Sequence, residues 1–286
     1  MKAIFSFSCL VVFISCSVKT GTDSPRLSKE ELNLSDRKVC LLLAELEEGT
    51  LLKVGEENCK LTSPSMYVFQ PVLALAALEL GTLKDPHGKF PWDKTKFPYL
   101  RWQKEQDLKA SLESSTVWYF QKIWTDTGNT KLKPWLQSVG LPTNIPLDTT
   151  RTFWMDGGYV LTAEEFYLFL WKVFNGELDI RRKNLNSILK GLERIPGEIK
   201  NPTGTHTLDI SYGPYSSFYS DSGTGYGGGR TVSWYWFFWK IKNKSYLFLS
   251  RVESESESLS QIEAAKFGTD YLREKGIWEK YFSGSN

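Results

Sequence analysis

Two long runs of β-branched and aromatic residues near the C-terminus limit the folds open to this chain. They are TVSWYWFFWKI (231–241) and KSYLFLSRV (244–252), and only Lys242 and Asn243 separate them. Residues of these types are enriched in strands, and a two-residue connection is typical of a hairpin. The pattern therefore predicts two adjacent antiparallel strands.

The remaining patterns place helices and strands in separate runs. Residues 38–57 indicate two strands joined by a tight turn around Glu48-Gly49. Helical patterns occur at 69–81, 103–124, 131–138, 162–175 (with a Thr-x-x-Glu capping box) and 258–276. This order predicts an α+β fold, in which helices flank an antiparallel β-sheet and a helical lobe is inserted between strands.

The composition fits one large folded region without identifying its partner. Of 286 residues, 41% are hydrophobic and 14% aromatic, which is enough for the core of one large domain or of two closely packed lobes. The 35 basic and 33 acidic side chains leave a formal charge of +2. No strong overall field therefore favours an anionic membrane surface, and we expect no nucleic-acid partner.

The N-terminus indicates export. In MKAIFSFSCLVVFIS, one lysine precedes an apolar stretch too short to span a bilayer, which predicts a signal peptide over residues 1–15. Cys16 follows a small residue, as at a bacterial lipoprotein cleavage site, so we predict lipidation of Cys16, a tether over 16–35 and a folded domain over 36–286. The alternative is an ordinary signal peptide cut nearby, which would leave a soluble periplasmic protein.

Two cysteines fall inside the predicted domain. Cys40 and Cys59 flank the first predicted hairpin, so pairing around its turn brings them nearly opposite one another, and export permits a disulfide. Two buried thiols are the alternative. The two histidines, His87 and His206, are far apart in the sequence and have no cysteine nearby, so we expect no metal site and no cofactor.

Six blocks form an ordered set along the chain. They are EENCKLTSPSMYVFQPVLALAALELGTLKD, FPWDK (90–94), Trp102 with Asp107-Leu108, Ser115-Thr116-Val117, FWMDGGYVLTAEE (153–165), and SGTGYGGG before the first long strand. In order and spacing this set resembles class D β-lactamases and the related penicillin-sensing domains, from about Asp36 to the C-terminal helix. The resemblance implies the fold of the serine penicillin-recognising proteins, which include the penicillin-binding transpeptidases.

The resemblance also implies a chemistry for which this chain lacks the groups. The family uses a serine that attacks a β-lactam or peptide carbonyl, and a lysine three residues later on the same helix face that removes its proton. Matched from upstream, this chain has Met66 and Phe69 at these positions; matched from downstream, it has Tyr67 and Gln70. Tyrosine is a bulky and weakly acidic substitute, and glutamine cannot act as a base. We therefore assign no catalytic residue.

Other positions of the family's site are partly kept. By resemblance, the candidate ligand-binding residues are Ser115, Val117, Thr224, Gly225 and Tyr226. Ser115 can equally be interpreted as a helix N-cap, and Gly223 replaces the lysine that holds a substrate carboxylate in the family. Trp154 matches a tryptophan that packs against the family's lysine, and without that lysine we expect it to be a core residue.

Three functional hypotheses remain. One is a non-catalytic, membrane-tethered relative that binds peptidoglycan peptides or another envelope protein. Another is a surface lipoprotein whose domain serves only as a stable display platform. The remaining hypothesis is an active β-lactam hydrolase or peptidase with a displaced nucleophile. Ser35 with Lys38 and Ser187 with Lys190 fit the Ser-x-x-Lys pattern, but each match is of a kind expected by chance. We expect inactivity, because the nucleophile, the base and the anion-holding lysine are all missing.

Overall fold

The structure is a computed structural model that describes residues 37–146 and 152–283. The predicted signal peptide (1–15), Cys16 and the tether (16–35) lie outside these residues, and so does Ser35. Those assignments stay predictions.

Most of the described strands belong to one antiparallel sheet. The strands are β1 (Arg37–Glu45), β2 (Gly49–Val54), β3 (Thr62–Pro64), β4 (Val160–Thr162), β5 (Glu198–Asn201), β6 (Gly204–Thr207), β7 (Ser217–Gly227), β8 (Arg230–Ile241) and β9 (Lys244–Ser254). The central sheet has the order β2-β1-β9-β8-β7, and β3-β4 and β5-β6 form two small antiparallel pairs. Strand β7 is therefore an edge strand of the central sheet.

Helices lie between the first and last strands and after the sheet. They are α1 (Glu56–Cys59), α2 (Phe69–Glu79), α3 (Leu108–Ser114), α4 (Val117–Ser138), α5 (Ala163–Phe174), α6 (Arg182–Leu192), α7 (Glu263–Glu274) and α8 (Ile277–Tyr281). The predicted α+β class with an antiparallel sheet and an inserted helical lobe is confirmed.

The alternation of side chains along β8 creates a core on each face of the sheet. Trp234 and Trp236 pack with the helical lobe, whereas Tyr235, Phe237 and Trp239 pack with α7 and α8. Successive side chains of a strand point to opposite faces, so a run that is aromatic at nearly every position needs cover on both sides. The helical lobe covers one face of the sheet, and α7 and α8 cover the other.

Several boundaries differ from the sequence-based predictions for identifiable reasons. The hairpin prediction over 38–57 overruns β2, because Gly55 adopts a left-handed conformation and starts α1. The segment before Leu108 is mainly an irregular loop rather than a helix, since Asp107 caps α3 by accepting a hydrogen bond from the Ala110 N–H. Within α4, Gly128 has non-helical φ/ψ values, so a kink interrupts that helix.

No helix in the described ranges is both long enough and apolar enough to cross a bilayer.

Candidate functional site

The segment that leads into α2 is fixed to the sheet by a buried cluster. Arg251, fully buried on β9, donates to the Leu61 carbonyl over 2.8 Å and pairs with Glu253 at 2.9 Å. Ser63 donates a short hydrogen bond to the Glu253 carboxylate, and the indole N–H of Trp234 donates to the Pro64 carbonyl over 2.9 Å. These bonds hold residues 61–64 against the sheet, so the start of α2 has a defined position.

A disulfide strengthens the same anchorage. Cys40 on β1 and Cys59 in α1 are joined, with their Cα atoms 5.0 Å apart. The hairpin strand β2 ends before Cys59, so the bridge ties β1 to the helix after the hairpin rather than to its partner strand. The Asn58 side chain adds a hydrogen bond to the Val39 carbonyl over 3.1 Å.

Whichever way the family's motif is aligned, its nucleophile and base positions contain large or neutral side chains. A 3-10 turn over Met66–Val68 leads directly into α2, and Met66 is fully buried. Tyr67 is 8% exposed, and burial raises the pKa of its phenol far above the usual value, which disfavours a phenolate nucleophile. Gln70, three residues later, is 1% exposed, and its side-chain N–H₂ has no hydrogen-bond partner among the described residues.

Phe69 and Trp154 belong to an aromatic cluster rather than to a polar pocket. The Phe69 ring lies 4.4 Å from the Tyr159 ring and 6.5 Å from the Trp154 ring, measured between centroids. Trp154 is fully buried, as a core residue would be, and its indole N–H has no partner among the described residues. A lysine at position 69 would therefore enter an aromatic core.

Strand β7 presses against the start of α2 through alternating glycines. A Cβ added to Gly223 would lie 2.7 Å from Tyr67 Cβ and 3.0 Å from the Tyr67 backbone nitrogen. One added to Gly225 would lie 2.9 Å from Met66 Sδ, and one on Gly227 would lie 2.8 Å from the Met155 carbonyl oxygen. Real Cβ contacts below 3.0 Å are almost never seen, so this face of the strand accepts only glycine without movement. Strand β7 and the start of α2 therefore leave no room for a side chain at Gly223.

Glycine at every second position was the sequence signal for this contact. The resemblance makes Gly225 of the run SGTGYGGG a candidate ligand-binding residue, whereas the period of two in that run places Gly223, Gly225 and Gly227 on one face of the strand. Glycine within a strand often marks a close approach of another backbone. The pattern indicates a close approach on this face but does not identify the element that makes it.

Ser115 and Val117 lie at the junction of α3 and α4. Ser115 is the C-cap of α3, has φ 46° and is buried, so its interpretation as a helix N-cap is wrong. The capping position of α4 belongs to Thr116, whose hydroxyl lies 2.8 Å from the Ser114 hydroxyl instead of capping the helix. Val117 is the first residue of α4 and is half-buried.

The candidates on β7 point to different surroundings. Thr224 lies opposite Ser233 in the β7–β8 ladder, and the two hydroxyls are 2.7 Å apart on the face covered by α7. Tyr226 is 71% exposed near the end of the strand. Gly225, in contact with Met66, faces the opposite way from both. The Thr224 hydroxyl and Gly225 therefore do not share one site.

The nearby serines have structural hydrogen bonds. The Ser65 hydroxyl lies 3.5 Å from the Trp154 carbonyl, and the Ser63 hydroxyl is bonded to Glu253. Ser187 lies on α6 and donates to the Lys183 carbonyl over 3.0 Å. In each case the hydroxyl donates to an oxygen rather than to a lysine nitrogen that could activate it.

Sequence reasoning missed two buried ionisable residues, Asp221 and Arg194, near the contact between β7 and α2. Asp221 is 6% exposed and lies on the same face of β7 as Gly223, and Arg194 is buried in the segment after α6. Burial raises the pKa of Asp221 to about 7, although Arg194 and the Ser222 backbone N–H act in the opposite direction. Burial likewise lowers the pKa of Arg194. A single acid among serines and tyrosines gives no sequence signal of this kind.

No three histidine, cysteine, aspartate or glutamate side chains in the described part of the chain come together as a group that could hold a metal ion.

Comparison with protein families and curated sequences gives a consistent group of relatives. Residues 67–155 match the model described as penicillin binding protein transpeptidase domain. The chain is 26% identical over 208 residues to regulatory protein BlaR1 of Bacillus licheniformis, a match that covers 72% of this chain and 31% of that protein. It is 22% identical over 236 residues to the probable β-lactamase YbxI of Bacillus subtilis, covering 82% and 80% of the two chains. This chain thus spans less than a third of the regulatory protein's length.

Solved structures with the same fold cover most of both chains. The class D β-lactamase BAT-2 superposes with a TM-score of 0.71 at 19% identity, covering 88% of this chain and 96% of that one. The C-terminal domain of the Bacillus licheniformis BlaR penicillin-receptor gives a TM-score of 0.69 at 20% identity, covering 85% and 92%. At this level of identity the similarity establishes the fold.

Proposed function

Because this chain belongs to the serine penicillin-recognising superfamily, we propose that it is a non-catalytic member, exported and held at the cell envelope through lipidated Cys16, that acts as a binding or scaffold module. One observation carries the proposal: Tyr67 and Gln70 occupy the start of α2, and Gly223 of β7 lies directly against Tyr67. Acyl transfer needs an activated hydroxyl and space for the substrate carbonyl beside it. This arrangement supplies neither.

The closed strand–helix contact favours a scaffold role over occupation of the family's cleft. A ligand that packed on the glycine face of β7 at Gly223 would have to displace Tyr67. Tyr226 and the neighbouring loops remain exposed and can contact a partner without that movement. Peptidoglycan peptides and a second envelope protein are the partner classes that the export signal and the fold suggest.

The proposal is tested by exposing the envelope-bound protein to a fluorescent penicillin. We expect no labelled band after denaturing electrophoresis, while an active class D β-lactamase treated in parallel is labelled. Intact mass spectrometry of the same sample should show no drug adduct and should show an acylated N-terminal cysteine at residue 16. A labelled band would establish an acyl-enzyme, and loss of that band in Ser65→Ala or Ser115→Ala would identify the displaced nucleophile.

A further inference from the structure

The loop between Phe90 and Gln106 is held rigidly at its base. The two residues form a pair of backbone hydrogen bonds of 2.8 and 3.1 Å, and Lys89 pairs with Glu105 at 2.6 Å. We call residues 91–105 the basic loop. Of the six charged residues in the basic loop, four are basic and two are acidic. The nearly neutral chain therefore has a local positive excess here.

The interior of the basic loop is packed around Trp102. The Phe97 and Tyr99 rings meet the Trp102 ring edge-on, with centroids 5.7 and 4.9 Å away. The Trp102 indole donates to the Ser114 carbonyl over 2.8 Å, and the Trp118 indole donates to the Trp102 carbonyl over 2.9 Å. The loop thus has a fixed shape although it contains little regular secondary structure.

This packing holds alternate side chains outward. Between residues 96 and 100, Phe97 and Tyr99 are half-buried, whereas Lys96, Pro98 and Leu100 are exposed. Leu100 is 84% exposed, far more than the other large apolar side chains on the surface except Tyr226. Single exposed apolar residues are common on protein surfaces and need no explanation. A rigid loop that keeps a leucine exposed among lysines does suggest a binding role.

The surrounding lysines have no acidic partners among the residues that the structure describes. Lys94, Lys96 and Lys104 are exposed and form no ion pair with any described residue. The Lys94 ammonium lies 4.9 Å from the centre of the half-buried Trp92 ring. Leucine, tryptophan and unpaired lysines together are characteristic of contact with an anionic lipid surface, whereas lysine is depleted in protein–protein interfaces.

We propose that the basic loop docks onto an anionic lipid surface, with Leu100 entering the acyl boundary and Lys96 and Lys104 contacting the headgroups. Each lysine near such a surface contributes on the order of 1 kcal/mol, and one leucine adds a small apolar contribution. The contact is therefore weak by itself and orients a protein that another attachment already brings close. It does not depend on the proposed absence of catalysis.

The test places an environment-sensitive fluorophore at the loop tip of the full chain. Cys9→Ser and Cys16→Ser prevent lipidation and remove the thiols outside the Cys40–Cys59 bridge, and Leu100→Cys is then labelled with nitrobenzoxadiazole. The matched control carries the label through Leu168→Cys, an exposed position on α5. Vesicles are either phosphatidylcholine alone or an equimolar mixture with phosphatidylglycerol.

We expect a blue shift and increased emission at position 100 with the anionic vesicles only, and no change at position 168. Lys96→Gln with Lys104→Gln should weaken this response about 30-fold in lipid concentration, from roughly 1 kcal/mol per lysine. Lys183→Gln with Lys190→Gln, on α6, removes the same charge and should leave it unchanged. An equal response at both labelled positions, or none at position 100, overturns the proposal. A response to added envelope protein without lipid would assign the loop to a protein partner and would also overturn it.

Discussion

At Gly223 the protein has no room for a side chain, because the Tyr67 backbone and Cβ occupy that space. Gly225, two residues along the same face, meets the end of the flexible Met66 side chain instead. Both positions lie on the same face of β7. A methyl group at Gly223 would meet backbone, whereas one at Gly225 would meet a flexible side chain. The two positions therefore separate a rigid contact from an adaptable one.

We predict that Gly223→Ala lowers the free energy of unfolding by about 2 kcal/mol, and that Gly225→Ala lowers it by less than about 1 kcal/mol. Urea denaturation of both variants, followed by tryptophan fluorescence, measures the difference. Equal costs at the two positions would mean that β7 does not rest on the Tyr67 backbone.

We expect Asp221 to make the free energy of unfolding depend on pH. Its folded pKa of about 7 lies above the unfolded value of about 3.9, so the protonated form is favoured by folding. Its contribution is fully present below about pH 4 and is lost as the pH rises through 7. We predict that Asp221→Asn has little effect at pH 4 and stabilises the protein at pH 8 by up to about 4 kcal/mol relative to wild type. Urea denaturation at pH 4, 6 and 8 checks this, and a constant difference across the series would contradict it.

At the scale of elements, the anchorage of the segment before α2 combines a disulfide with the buried Arg251–Glu253 pair. The bridge closes a loop over a sequence separation of 19 residues. Chain-entropy arguments assign such a loop about 3 kcal/mol of stabilisation, through restriction of the unfolded chain.

We accordingly expect Cys40→Ala with Cys59→Ala to lower the free energy of unfolding by about 3 kcal/mol. Dithiothreitol should lower the stability of the wild type by a similar amount and leave the double variant unaffected. If the reductant destabilised both proteins alike, its effect would come from something other than this bridge.

The elements were largely predictable, whereas the contacts between them were not. The long β8–β9 hairpin, the Thr162 capping box and α2 follow from local periodicity and turn chemistry, which act over a few residues. The N-cap interpretation of Ser115 failed because α3 ends one residue earlier, and its left-handed C-cap is a feature of the packed junction. The Gly223–Tyr67 contact and the burial of Asp221 depend on tertiary packing, so no local pattern specifies their geometry.

At the scale of the whole molecule, the sheet lies between two cores, with the helical lobe on one face and α7 and α8 on the other. Strand β8 contributes aromatic side chains to both, so a displacement of the sheet edge disturbs packing on two sides. The position of β7 against α2 is therefore a property of the complete fold.

We predict that Tyr67→Ser with Gln70→Lys forms no covalent adduct with a penicillin, because Gly223 would still occupy the space beside position 67. Intact mass spectrometry after incubation with the drug tests this, with an active class D β-lactamase as the positive control. Circular dichroism should confirm that the variant is folded. A mass increase equal to that of the drug would show that the closed strand does not block acylation.

The alternating glycines on β7 also affect how this lineage can evolve. On the proposed non-catalytic assignment, we expect a mutation that introduces the family's serine or lysine alone to leave the Gly223 contact in place and to confer no activity. A mutation that enlarges Gly223 first destabilises the protein before any chemistry exists to compensate. On this assignment, a change at position 67 and a relief of the Gly223 contact would have to arise together, which makes a return to hydrolysis through single substitutions unfavourable.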